Sequence, residues 1–474
     1  MQRLAPRIYL DVSANEMDII RKNIFEIIGA LYPGAVISHR SALETGLDVS
    51  KKHIVITHRN VGDRNLPGVV IHVLDGPGPQ PEDLQFVSGL YISSISRSWL
   101  ECFQSRKKGK NDYSKTFKKN ELEERLDRWI ALYGEEKFKK QINDAHILAD
   151  RLGWQSEASR FQKVAGALLG TRSLKMLTTR IGKARGAGLA YDTTREEIFM
   201  PLIKELRLLG PGLPIDRDLS RDEWAIQCFF EAYFSNYIEG TIFTVEEAQA
   251  IVFDEKVPEN RPEGHDIIAT YKILFPLANN PKKIPQLTDY DSFETDLRQT
   301  HASLMATHPQ NTPGEFKTKL NRVGDTIFVK PELVAGTLRR GFEYLGAFSE
   351  PIQRALFMKF LIAEVHPFPD GNGRLSRIMM NRELHAGHQW PIMIPTVYCI
   401  DYRSALRKLS LNKNSDAFLK VMIKAQCIAA FLDYHSLEQT RLELESYRAF
   451  KEDENITFDW QKLERKKGPL SKQT

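Results

Sequence analysis

His366, Asp370, Arg374, Arg377 and Asn381 stand close together in one short stretch, His366-Pro367-Phe368-Pro369-Asp370-Gly371-Asn372-Gly373-Arg374, with Arg377 and Asn381 just beyond it. A histidine of ordinary pKa near 6.5 takes a proton from a hydroxyl close to neutral pH. Asp370 offers one hard oxygen ligand, which suits a Mg²⁺ that keeps several waters and bridges phosphate oxygens. The backbone N–H groups of Gly371, Asn372 and Gly373 can converge on an oxyanion if a helix begins there, because its first N–H groups have no partner within the helix. Arg374 and Arg377 are cations in a first helical turn, where the helix dipole disfavours them; a bound polyphosphate reverses that sign. Base, metal ligand, anion nest and two arginines together are the parts of a group-transfer site.

The elements that must hold these residues can be read on either side. Residues 355–365, rich in Phe357, Phe360, Leu361 and Ile362, read as an apolar helix. Pro367 disfavours a helical conformation at His366, so that helix should stop there. A second helix is expected over 374–384, with Arg374, Arg377 and Asn381 recurring at three and four residues on one face. Earlier in the chain, residues 224–238 read as an amphipathic helix ending at Gly240. Glu239 falls in its last turn, an unfavourable place for an anion unless a cation stands beside it.

The stretch matches the signature H-x-F-x-(D/E)-G-N-(G/K)-R at every specified position and so resembles the Fic family of protein-modifying nucleotidyltransferases. The resemblance extends over roughly 221–435. It implies that ATP and Mg²⁺ are bound and that AMP passes to a Ser, Thr or Tyr hydroxyl of a protein, this chain itself included, with release of pyrophosphate. His366 would be the base and Asp370 the Mg²⁺ ligand. The loop backbone with Asn372 would bind the α- and β-phosphates, Arg374 the β- or γ-phosphate and Arg377 the γ-phosphate, while Asn381 would lie near the nucleoside. Gly373 is consistent with AMP transfer. Thr326-Ile327-Phe328-Val329, with Pro313-Gly314-Glu315-Phe316-Lys317 ahead of it, takes the place of the family's flap, a hairpin that pairs with an extended target segment. Ser235-Asn236-Tyr237-Ile238-Glu239-Gly240 matches the inhibitory motif (S/T)-x-x-x-E-(G/N), in which the glutamate pairs with the second arginine, here Arg377. The residues that follow, Thr241-Ile242-Phe243-Thr244, depart from the asparagine and threonine of many relatives. Two other readings stay open: removal of AMP at the same site, and a regulatory protein that only senses nucleotide.

The surrounding sequence sets the architecture. Apolar residues make up 42% and charged residues 27% of the 474, with a net charge of +5, as in ordinary globular chains. No apolar run is long enough to span a membrane, and four scattered cysteines suit neither zinc nor thiol redox chemistry, so a cytoplasmic protein is expected. The expected fold is α+β: a mainly helical core with a β-hairpin flap, preceded by a small α/β domain and a helical connector. The boundaries are 1–93 for the α/β domain, 94–185 for the connector, 186–220 for a linker, 221–435 for the core with its inhibitory helix at about 222–239, and 436–474 for a charged tail. The basic excess lies in the first 200 residues, with a cluster at Arg106, Lys107, Lys108, Lys110, Lys115, Lys118 and Lys119. Such a cluster suits nucleic acid or an acidic partner, although a solvated loop or helix face is the commoner explanation. The front part, through residues 32–43 and 67–72, also resembles abortive-infection antitoxin-like regulators, but too few residues precede it for their DNA-binding winged helix.

Overall fold

The computed structural model describes residues 2–5, 8–10, 15–44, 52–105, 114–285, 287–324, 326–453 and 455–467. Arg106, Lys107, Lys108 and Lys110 of the basic cluster lie outside them. The chain divides into two compact units, residues 1–188 and 189–474.

The first unit opens with a hairpin, β1 (Gln2–Ala5) and β2 (Ile8–Leu10). A six-stranded mixed sheet follows, built from β3 (Val36–Ile37), β4 (His53–Thr57), β5 (Arg64–Leu66), β6 (Val69–Leu74), β7 (Leu84–Gln85) and β8 (Tyr91–Ile92), in the order β5-β6-β4-β3-β8-β7. The β-branched runs of the sequence are its inner strands, as period-two patterning predicts. Helices α1 (Glu16–Lys22) and α2 (Ile24–Leu31) pack on it through Ile20, Ile24 and Ile28. Asn23 separates the two helices, and its side chain donates to Ile19 O at 2.9 Å. After α3 (His39–Leu43), a second hydrophobic cluster forms around Trp99, Leu126, Phe138 and Phe161, within α4 (Ile95–Cys102), α5 (Lys119–Tyr133), α6 (Glu135–Leu152), α7 (Gln155–Leu168) and α8 (Arg180–Gly186).

The second unit holds one large core. Its helices are α9 (Thr193–Leu206), α10 (Arg221–Ile238), α11 (Val245–Asp254), α12 (Gly264–Asn279), α13 (Tyr290–Leu304), α14 (Val334–Tyr344), α15 (Pro351–Val365), α16 (Asn372–Ala386), α17 (Cys399–Asn412), α18 (Asp416–Phe431), α19 (Leu437–Ser446) and α20 (Trp460–Lys467). Helix α15 is buried almost all round, as an evenly apolar helix must be. It stands at the centre, and α16 follows it after a six-residue loop, 366–371. A hairpin of β9 (Arg322–Val323) and β10 (Thr326–Ile327) rises beside it.

Two segments differ from their reading in sequence. Within 186–220, read as a linker, α9 places Phe199, Leu202 and Leu206 in the core despite Pro201 in its interior. Within the charged tail, Tyr447, Phe458 and Leu463 are buried in the same core, and the ring of Phe458 packs 4.9 Å from that of Trp460. In both cases a few large apolar side chains at helical or aromatic spacing outweigh the polar average.

Candidate active site

Helix α10 is fixed at its start by a reciprocal cap: Ser220 Oγ accepts from Glu223 N–H at 3.2 Å and Glu223 Oε2 from Ser220 N–H at 2.7 Å. It is buried along most of its length. Three residues at four-residue spacing, Glu231, Ser235 and Glu239, face three at the same spacing on α16, Asn381, Arg377 and Gly373. Asn381 Nδ2 donates to Glu231 Oε1 at 2.6 Å. Arg377 Nε donates to Ser235 Oγ at 2.9 Å, and Arg377 Nη2 donates both to Ser235 O at 2.8 Å and to Glu239 Oε1 at 2.6 Å. At the last rung, a Cβ added to Gly373 would lie 2.2 Å from Glu239 Oε1. Only glycine lets the carboxylate lie so close over the first turn of α16.

Burial pushes the Glu239 carboxyl up, but the Arg377 guanidinium overrides this and holds it below the usual range. The carboxylate therefore takes the place of an anion at a helix N-terminus, between Arg377 and Gly373.

The loop between α15 and α16 is braced from within. His366 ends α15 in the left-handed region, at φ +52°. Its Nδ1–H donates to Ala363 O at 3.2 Å, which leaves the Nε2 lone pair for a proton. The ring lies flat on Phe328 of the flap, with centroids 3.8 Å apart. Burial lowers its pKa to about 4, so the imidazole is neutral across the physiological range.

Asn372 is 1% exposed, and its side chain serves the loop: Oδ1 accepts from Phe368 N–H at 2.9 Å and Nδ2 donates to Phe368 O at 2.9 Å. Its amide is thereby taken, and the ligand-facing role expected of Asn372 falls to backbone groups. Gly371, at φ +74°, donates to Asp370 Oδ1 at 2.7 Å. The first helical bond of α16 runs from Leu375 N–H to Gly371 O, so the N–H groups of Asn372, Gly373 and Arg374 precede the ladder.

Asp370 is exposed, and its Oδ2 accepts from Asn311 Nδ2 at 3.2 Å. Among the described residues no three His, Cys, Asp or Glu side chains are grouped as a metal cage. One carboxylate beside a phosphate nest is nonetheless enough for Mg²⁺, which takes its remaining ligands from phosphate and water.

Arg374 is buried and lies with Nη1 2.5 Å from Asp266 Oδ2, although without hydrogen-bond alignment. Its Nε has no acceptor among the described residues, so the guanidinium retains donors for an anion. Asn381 stands one turn beyond Arg377 on α16. Wholly buried, it gives Nδ2 to Glu231 and to Ile392 O, and its Oδ1 accepts from Ile392 N–H at 2.8 Å. It anchors α10 to α16 and does not line the open pocket.

That pocket, about 450 Å³, brings His366, Gly373, Arg377, Glu239, Thr326 and Phe328 together. Of the flap residues read from sequence, Thr326 and Ile327 form the strand, Phe328 covers His366, and Val329 turns into the core.

Three residues of consequence were missed. His301 of α13 accepts from Gly314 N–H at Nδ1, 2.9 Å, and donates from Nε2 to Asp370 O, 3.1 Å, with its ring stacked on Phe368 at 3.7 Å; it ties the base of the flap to the loop. Glu231 is pushed up to about 7 by burial, against hydrogen bonds from Gln227 and Asn381. Lys359 has its Nζ buried without a hydrogen-bond partner among the described residues, 4.6 Å from the Tyr402 ring centre, and burial holds it well below the usual lysine range. A four-residue repeat ahead of Glu239 could have exposed Glu231; nothing in the sequence marks the other two.

Comparison with known proteins gives a consistent family. Residues 289–384 match the model of the Fic/DOC family. The chain is 25% identical over 190 residues to protein adenylyltransferase fic-1 of Caenorhabditis elegans, covering 39% of this chain and 37% of that protein. It is 24% identical over 215 residues to protein adenylyltransferase Fic of Drosophila melanogaster, covering 43% of this chain and 42% of that protein. The matches thus span less than half the length of these relatives. Among solved structures, residues 134–508 of C. elegans Fic-1 align with 68% of this chain and 96% of that one, at 18% identity and a TM-score of 0.37.

Proposed function

We propose that this Fic-domain protein transfers AMP from ATP to a hydroxyl of a protein substrate, and that Glu239 restrains the transfer. One observation carries the reading: His366, with a free Nε2 lone pair, shares a pocket with the start of α16, where Gly373 already accommodates a carboxylate held by Arg377. A base and an anion seat in one cavity suit nucleophilic attack on a phosphate ester.

In the proposed step the target hydroxyl oxygen attacks the α-phosphorus while its proton passes to His366 Nε2. The bond from the α-phosphorus to the bridging oxygen breaks, and pyrophosphate leaves. The backbone N–H groups at the start of α16, with Arg374, hold the phosphate oxygens. Asp370 would hold Mg²⁺, which would supply charge neutralisation for the outer phosphates. The exposed edge of β9 and β10 would align an extended target segment, which can be another protein or this chain itself. Glu239 opposes the reaction because its carboxylate stands where the outer phosphates must reach Arg377. A cytoplasmic setting fits four cysteines that are free and buried. No helix among the described residues is long and apolar enough to cross a membrane.

The test is incubation of the Glu239→Gly protein with labelled ATP and Mg²⁺ in a lysate. Covalent label on protein with stoichiometric pyrophosphate supports the reading, and pyrophosphate without labelled protein overturns it. A second reading rests on the place of Glu239 in the pocket of His366: the carboxylate could orient a water for removal of AMP. Loss of AMP from a pre-modified protein, dependent on Glu239, would favour it.

A further inference from the structure

Arg374 is a buried cation in the first turn of α16, where the helix dipole opposes it. The charge facing it comes from Asp266 in the first turn of α12, 6% exposed, whose Oδ2 lies 2.5 Å from Arg374 Nη1. That approach is not aligned as a hydrogen bond, and neither Nη1 nor Nε of Arg374 has an acceptor among the described residues. Nη2 meets the thioether of Met305, a weak acceptor, at 3.7 Å. The guanidinium is thus held by charge while its N–H groups stay uncommitted. A bidentate pair, with both carboxylate oxygens on the guanidinium fork, would occupy those donors. Here the second oxygen is given to another residue: Asp266 Oδ1 lies 2.6 Å from His308 Nε2, and because a carboxylate only accepts, the imidazole donates there. His308 opens the short turn Pro309–Asn311, and Asn311 Nδ2 donates to Asp370 Oδ2 at 3.2 Å. One short segment therefore steadies both the carboxylate beside Arg374 and Asp370.

We infer that Asp266, steadied by His308, is a positioning residue that keeps Arg374 aimed at the outer phosphates of the nucleotide. The inference rests on the nucleotide-transfer reading and adds the residues that orient its phosphate-binding cation. Before nucleotide arrives, Asp266 offsets the cost of a buried guanidinium that would otherwise lack a counter-charge. Once phosphate oxygens accept the uncommitted N–H groups, the arginine lies between two anions and need not turn to reach either. Donors fixed in advance lose no orientational freedom on binding, which is where such preorganisation acts. Removing Asp266 leaves the guanidinium free to take other rotamers, and removing His308 does the same to Asp266 at one step's distance.

The experiment measures binding of two probes, the Mg²⁺ complex of ATP and AMP, by calorimetry to the full chain carrying Glu239→Gly. AMP lacks the outer phosphates and reports on the rest of the site. Adding Asp266→Ala should weaken ATP about five- to a hundredfold, the usual span of coupling between sites, and leave AMP within about twofold. In an Arg374→Ala background the same change should cost ATP less than about twofold, since the two residues act as one unit. His308→Ala should weaken ATP by a smaller factor, and His308→Gln, whose amide can donate to Asp266, should restore it. A folded Asp266→Ala protein that binds ATP as tightly as its parent overturns the inference. So does an equal loss for ATP and AMP, or an equal loss with and without Arg374; in these cases nucleotide transfer would stand. If Asp266→Ala fails to fold, the two His308 variants decide, and equal ATP affinity in both overturns the inference. If neither probe binds the Glu239→Gly chain, the nucleotide reading itself falls and takes the inference with it.

Discussion

Replacing Glu239 by glycine should accelerate AMP transfer, and the structure bounds by how much. Arg377 Nη2 and Glu239 Oε1 are 2.6 Å apart; the side chain of Arg377 is 6% exposed and that of Glu239 35%. At an effective dielectric of about 20, unit charges about 3 Å apart attract by about 5 kcal/mol. Because a third of Glu239 reaches solvent, and its charge can be rehydrated when displaced, the usable part is about 1–3 kcal/mol. Coupling of that size corresponds to about a 5- to 150-fold change. The assay is a double-mutant cycle on self-modification with labelled ATP, using the parent chain, Glu239→Gly, Arg377→Ala and the double variant. Glu239→Gly should gain activity, and the gain should vanish without Arg377. An equal gain with and without Arg377 refutes the pairing as the brake. An inactive Glu239→Gly protein that still binds ATP refutes the brake and favours AMP removal.

The remaining expectations address base, metal and pH. His366→Ala should cut transfer by about a hundred- to ten-thousandfold while leaving ATP affinity within a few-fold, measured by turnover and calorimetry in the Glu239→Gly background. Asp370→Ala should lose Mg²⁺-dependent ATP binding together with transfer, and His301→Ala, which frees the Asp370 carbonyl, should raise the Mg²⁺ concentration needed for half-maximal rate. The fold should weaken in acid. His301 and His385 are buried with pKa values lowered to about 4 and about 3, so the unfolded chain binds more protons as pH falls below about 6.5. Stability is full above that pH, and each histidine should cost about 2 kcal/mol by pH 5. The His385 ring nitrogens have no hydrogen-bond partner among the described residues, so His385→Phe should raise the melting temperature and flatten its decline between pH 7 and 5.

Legibility followed the range of the interactions. The loop from His366 to Arg374 could be read because proline, glycine and a helix start act within a few residues. Glu239 could be read because a carboxylate in a last helical turn asks for a cation. For Asn381, four-residue spacing gives a helix face but not what that face meets, which is Glu231, 150 residues earlier. Asn372 was read as a ligand group because its short side chain can turn outward or inward with equal ease. His301 and Lys359 carry no local signal, since each acquires its character from burial among distant elements. Helix α9 was hidden by proline and charge within an otherwise apolar-periodic segment.

The α10–α16 ladder has a consequence for time. Helix α10 is capped at Ser220 and buried along its length, so it cannot leave without opening the core. What can move is the Glu239 side chain at its end, beside the exposed Gly240 at φ +95°. Side-chain rotation is complete long before an enzyme turns over once, since turnover typically takes milliseconds to a second. The carboxylate therefore re-equilibrates many times within each catalytic cycle. The proposed inhibition would then be a ratio of occupancies rather than a slow gate: progress curves should start without a lag, and the restraint should deepen or lift as fast as the ATP concentration around it changes.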